Sequence, residues 1–195
     1  MPRTTHLLYL HGFRSSPQSA KAQKMAARMR TQYPHVHWCC PALPASPQQA
    51  LQEVMALVAD WPRERMAIMG SSLGGFYAAG LSAQLNCPAV LINPAVFPSR
   101  DLARYIGEHP AWHDPSQKIF FKAAYVAELA ELEAQPQSAS PQTLALIAKG
   151  DEVLDWREML ARHQAGQVRL FEGGDHALVN FDDDWPEISQ FLRLD

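Results

Sequence analysis

Three observations predict an α/β fold built on a buried, mostly parallel sheet of about six strands. Short apolar runs rich in β-forming residues alternate with helix-length segments along the chain. The runs are near-continuously hydrophobic, as strands covered on both faces must be. Finally, 195 residues at 47% hydrophobic and 19% charged supply one sizeable core, with no linker to mark a second domain.

In chain order, the first strand is expected at Leu7 to Leu10 and a helix at Ser19 to Thr31. A strand at Val36 to Cys39 and a helix at Pro47 to Asp60 follow. The apolar run Met66 to Met69 is the third strand, and the alanine-rich pattern Leu73 to Asn86 the helix behind it. Ala89 to Ile92 is the fourth strand. Leu144 to Ala148, a helix at Trp156 to Gln164, Val168 to Phe171 and a helix at Trp185 to Leu192 complete the alternation. The longest interval without a strand, 97–141, carries a helical pattern at Ile119 to Glu133 and a polar, proline-containing stretch at Gln135 to Gln142. It reads as a small helical cap. The acidic runs Glu128 to Glu133 and Asp182 to Asp184 are expected to be a solvated face and a helix-capping cluster.

The third strand runs into Gly70, Ser71, Ser72, Leu73, Gly74, a GxSxG turn between strand and helix. Glycines two places on either side of a serine let strand and helix approach where a Cβ would collide, so the serine tolerates a strained backbone. The helix behind it aims free N–H groups at whatever that hydroxyl attacks, which suits a developing oxyanion. Ser72, not Ser71, is therefore the candidate nucleophile. Alone the pattern is weak, since chance supplies it in roughly one chain in twenty of this length. Its context and its partners give it weight.

Parallel sheets carry active groups on loops at the carboxyl ends of their strands. After Leu144 to Ala148 come Gly150, Asp151, Glu152 and Asp155. Asp151 is the preferred acid, because Asp155 has a sufficient structural task as N-cap of the next helix and Glu152 suits a solvated turn. Asp155 remains the rival. After Val168 to Phe171 come Gly173, Gly174, Asp175 and His176, where a histidine can swing back over Ser72 with its second nitrogen on Asp151. After Leu7 to Leu10 come His11, Gly12, Phe13 and Arg14. The backbone N–H groups of Phe13 and Leu73 are the expected oxyanion donors. His11 reads as a buried structural histidine. Arg14, beside the donor, is a candidate for holding an anionic part of the substrate at the pocket rim, or else a solvated loop charge.

Net charge −3 offers no basic field for nucleic acid. Cys39, Cys40 and Cys87 cannot all pair, which disfavours a disulfide framework. His6 to Leu10 is too short for a signal core or a membrane span, so a cytoplasmic protein without membrane insertion is expected. His35, His37 and Cys39 alternate on one predicted strand, but a two-sided sheet buries such a face, and no metal or cofactor is expected. GSSLGG lacks the GxGxxG spacing of a dinucleotide loop. The sequence does not give an oligomeric state.

The order Ser, Asp, His is that of α/β-hydrolases. The chain resembles that superfamily and, more narrowly, the YqiA/YcfP-like family of small bacterial esterases. The likeness is carried by LLYLHGFRSSPQSAKA (Leu7 to Ala22), GSSLGGFYA (Gly70 to Ala78), NPAV (Asn93 to Val96), GDEVLDW (Gly150 to Trp156) and EGGDHA (Glu172 to Ala177). The resemblance implies a compact α/β-hydrolase fold without the two leading strands of larger relatives. It also implies a Ser72, Asp151, His176 triad acting on small acyl esters or thioesters. Amidase, peptidase and acyltransferase chemistry share that triad, and a non-catalytic ligand-binding protein could keep the fold.

Overall fold

The computed structural model describes residues 2–111, 114, 116, 118–135 and 142–195. A six-stranded sheet holds β1 (His6–Leu10), β2 (His37–Cys39), β3 (Met66–Ser71), β4 (Ala89–Ile92), β7 (Thr143–Ala148) and β8 (Gln167–Phe171) in the order β2-β1-β3-β4-β7-β8. Every pairing in it is parallel. A separate pair, β5 (Gly107–Pro110) and β6 (Lys118–Phe121), is antiparallel.

Helices α1 (Ala20–Gln32) and α7 (Trp185–Phe191) cover one face of the sheet; α2 (Pro47–Leu57), α3 (Leu73–Leu85) and α6 (Trp156–His163) cover the other. Side chains alternate across each strand, so Leu7 and Tyr9 join the α1 core while Leu8 and Leu10 join the α3 core. Both faces of the sheet are covered by apolar cores, which is why the sequence lacks a period-2 polar pattern. This is the α/β-hydrolase fold.

The cap differs from its sequence reading. Ile119 to Phe121, predicted as the start of a helix, belong instead to strand β6, and α5 begins only at Ala123 and ends at Ala134. Phe121 is buried while Phe120 is 58% exposed, the alternation of a strand. Its partner Gly107–Pro110 was illegible, since Gly, Glu, His and Pro carry no strand propensity. Helix α4 (Pro98–Leu102) precedes the hairpin. The stretch from Gln135 to Gln142 lies largely outside the described residues.

Two acidic clusters also do other work than expected. Glu128 of α5 accepts from the Ser46 hydroxyl at 2.7 Å and the Gln48 N–H at 3.0 Å, at the start of α2. Glu133 accepts from the Ser99 N–H at 2.6 Å and its hydroxyl at 2.8 Å, at the start of α4. Carboxylates at helix N-termini meet unpaired N–H groups, so α5 is pinned rather than solvated. Asp182 pairs with Lys24 and Arg28 of α1, and Asp184 with Arg169, instead of capping α7 through their side chains.

Candidate active site

Ser72 sits between β3 and α3 with φ 58° and ψ −121°, a conformation seldom adopted by residues other than glycine. The turn survives because its neighbours are glycines. A Cβ on Gly74 would lie 2.0 Å from the Leu10 carbonyl oxygen, and one on Gly70 would lie 2.1 Å from that of Gly74. No side chain fits either place.

The structure brings Ser72, His176 and Asp151 together. His176 Nδ1 is 2.8 Å from Asp151 Oδ2, and His176 Nε2 is 3.0 Å from Ser72 Oγ. A carboxylate accepts, so Nδ1 carries the proton and leaves Nε2 to accept the Ser72 hydroxyl proton. The Asp151 side chain is 0% exposed, and its Oδ1 accepts N–H bonds from Val153 and Leu154 at 2.8 Å each. Three donors thus hold a buried carboxylate that would otherwise be costly. Asp155 instead accepts from the Arg157 N–H at 2.8 Å as N-cap of α6. Glu152 is an exposed loop residue, as expected, and also accepts the His176 N–H at 3.0 Å, which helps hold the loop.

Two further features set that loop. A Cβ on Gly150 would lie 2.3 Å from the Gly174 oxygen, so the acid loop and the histidine loop pass in backbone contact. Asn93, fully buried at the end of β4, donates through Nδ2 to the carbonyls of Asp175 (3.0 Å) and His176 (3.1 Å) and accepts the Ala148 N–H at 2.8 Å. It ties three strand ends together. The signal in the sequence is the NPAV block, where a polar asparagine follows directly on a fully apolar strand.

Among the described residues, the Phe13 and Leu73 N–H groups donate to no protein acceptor. Phe13 lies on the loop after β1, and Leu73 opens α3 directly after Ser72. His11 is buried, donates from Nδ1 to the Gly12 carbonyl at 3.0 Å and accepts the Leu43 N–H at 3.1 Å. Arg14, at φ 58°, donates its Nε–H to the Pro110 carbonyl at 2.8 Å, linking the β1–α1 loop to the cap hairpin. Its side chain lines the cavity beside Ser72. His35 precedes β2 and contacts the Leu194 carbonyl, so it does not share a strand face with His37 and Cys39. Among the described residues, no group of three or more His, Cys, Asp or Glu could hold a metal, and no helix is long and apolar enough to cross a membrane.

Ser72 and His176 open onto a cavity of about 430 Å³. On the α3 side its wall is apolar, with Ala95, Leu102, Tyr105 and Leu154. On the α1 side it is polar, with Tyr9, Lys21 and Ser71. Nothing in the sequence marks Lys21 as an inward-facing residue. Its Nζ donates to Ser71 Oγ at 2.8 Å, and it is only 9% exposed. Burial pushes its ammonium down to about 8, while Asp175 and Asp151 pull it back up.

Comparison with known proteins places this geometry in context. The model of the uncharacterised protein family UPF0227 matches residues 6–193. A putative hydrolase from Agrobacterium vitis S4 is similar in fold, with TM-score 0.75 and 18% identity over 97% of this chain and 88% of its own. So is Est1E from Butyrivibrio proteoclasticus with ferulic acid bound, with TM-score 0.69 and 14% identity over 98% of this chain and 87% of its own. A structure described under the metagenome-derived lipolytic enzymes LipS and LipT gives TM-score 0.70 and 19% identity, over 98% and 94%.

Proposed function

This chain belongs to the uncharacterised protein family UPF0227 within the α/β-hydrolase superfamily, and from that premise we propose that it is a serine carboxylesterase or thioesterase acting on small acyl substrates. The observation that carries the reading is the continuous relay from Ser72 Oγ through His176 to a buried, fully bonded Asp151.

In this reading Ser72 Oγ attacks the acyl carbon while its proton passes to His176 Nε2. Asp151 holds the ring in the required tautomer and stabilises the imidazolium. The carbonyl oxygen gains the charge and is met by the N–H groups of Leu73 and Phe13. His176 then returns the proton to the departing alkoxide or thiolate, which leaves as alcohol or thiol. Water, deprotonated by the same nitrogen, attacks the acyl-enzyme and releases the acid. Arg14 is assigned to the rim of the substrate cavity.

The apolar wall against the cap suits a short acyl chain. Esterases among the structures similar in fold also support an ester or thioester as the bond cleaved. A panel of p-nitrophenyl esters, acyl thioesters and anilides on the purified protein tests the reading. Esters or thioesters of short acyl chains should turn over with a burst equal to the enzyme concentration under pre-steady-state conditions. Turnover confined to anilides, or none, would defeat it.

A further inference from the structure

Lys21 is a buried cation that the proposed chemistry does not use. It lies in the second position of α1, where it would be expected to point to water, yet it turns inward over the sheet. Its one hydrogen bond among the described residues goes to Ser71 Oγ at 2.8 Å. An ammonium has three donors. No carboxylate stands within 4.0 Å of it among the described residues, although Lys24 and Arg28 of the same helix share Asp182. Asp175 and Asp151 act on it only from beyond ion-pair distance, so most of the cost of burying the charge is not offset, and a site that bears that cost is a candidate for a ligand that meets the ammonium directly.

Its place in the cavity identifies the ligand chemistry. Lys21, Ser71 and Tyr9 all line the space that Ser72 and His176 face. Ser71 accepts from Lys21, so its own proton is available to donate. Ser71 and Ser72 are consecutive, with Cα atoms about 3.8 Å apart, so this polar wall stands a few bonds' length from the attacked carbonyl. One ammonium and two hydroxyls form a compact donor set, of a size for a carboxylate.

We propose that Lys21, with Ser71 and Tyr9, forms an anion subsite, and that the substrate is an ester or thioester bearing a carboxylate a few bonds from the scissile carbonyl. This rests on the hydrolase reading and narrows its substrate class. Arg14 is less suited to the task, because its Nε–H is engaged by the Pro110 carbonyl.

Two matched pairs of esters test it. Monomethyl succinate against methyl butyrate places the carboxylate on the acyl side; the butyric ester of glycolate against ethyl butyrate places it on the alcohol side. Released alcohol and acid are followed for wild type, Lys21→Met and Lys21→Arg. In at least one pair the ratio of kcat/KM, anionic over neutral, should fall tenfold or more in Lys21→Met and recover in part in Lys21→Arg. A merely structural role would lower both members alike and leave the ratio where it was. Unchanged ratios in both pairs overturn the subsite. Should Lys21→Met not fold, the wild type decides by competition: butyrate should protect Ser72 from fluorophosphonate labelling at concentrations at least tenfold below butyramide, and equal protection by the two overturns the proposal. If the wild type cleaves none of the four esters, the competition alone judges the anion subsite, and the hydrolase reading is judged separately by the panel of p-nitrophenyl esters and acyl thioesters.

Discussion

At the scale of single residues, the acid of the relay is the assignment with a named rival, and the two aspartates separate cleanly. Asp151 is buried against His176 and two N–H groups, whereas Asp155 caps α6. Asp151→Asn is expected to cut kcat by on the order of 10³-fold or more with little change in fold, because the amide favours the wrong histidine tautomer. Asp155→Asn should cost well under about 1 kcal/mol in stability, asparagine being a good N-cap, and leave turnover intact. Steady-state kinetics beside urea unfolding read both. Lys21 offers a second test that needs no substrate. Its ammonium is held at about 8 against an ordinary 10.5, so burial costs about 3 kcal/mol when it is charged, less about 1 for the bond to Ser71. The folded value lies below the unfolded one, so the cost is present at neutral pH and fades as pH rises from 8 towards 10.5. Lys21→Met should therefore stabilise by roughly 2 kcal/mol at pH 7 and progressively less at higher pH in urea titrations. Ser72, Asp151 and His176 were legible because a strand, a turn and a chain order constrain them together. Lys21 was not, since a lysine in the opening turn of a surface helix is expected to face water and carries no mark of turning inward.

At the scale of elements, the site depends on how closely three strand ends approach. Gly150→Ala would thrust a Cβ to 2.3 Å from the Gly174 oxygen, and the backbone on both sides can only separate. That change should cost several kcal/mol and drop turnover at least tenfold, visible together as a lowered unfolding midpoint and a lowered kcat. Asn93→Ala removes the partner of three backbone groups at once. Each such loss costs about 1–3 kcal/mol, so a marginal fold should be endangered. Asn93→Asp keeps the acceptor for Ala148 but turns a buried carboxylate oxygen on the two loop carbonyls, so it should lower the unfolding midpoint and reduce kcat in the folded protein. Unaltered kcat in Asn93→Asp would show that the histidine loop holds itself. The main-sheet strands could be read because buried parallel strands are apolar runs. The cap could not, because β5 has no strand composition and gains its structure by pairing with β6.

At the scale of the whole molecule, acid lability should trace to one buried ring. His163 is buried at the end of α6 with no partner for Nε2 among the described residues, and desolvation, aided by Arg162, pushes it down to about 4. Its folded value lies below the unfolded 6.5, so stability is intact above pH 6.5 and falls, by up to about 3 kcal/mol, as pH drops from 6.5 through 4. His163→Leu should flatten that segment of the urea stability profile; an unchanged slope would assign it to carboxylates. The layered architecture was legible throughout, since alternation of strand and helix leaves few arrangements. What the alternation could not convey was which polar groups the two cores enclose. The central claim, that Ser72 is the nucleophile of a serine hydrolase, is tested most directly by labelling the purified protein with a fluorophosphonate and mapping the adduct by peptide mass spectrometry. One adduct per chain is predicted, on Ser72, abolished in Ser72→Ala and strongly slowed in His176→Ala. Absence of an adduct, or one on Ser71 that persists in Ser72→Ala, would contradict it.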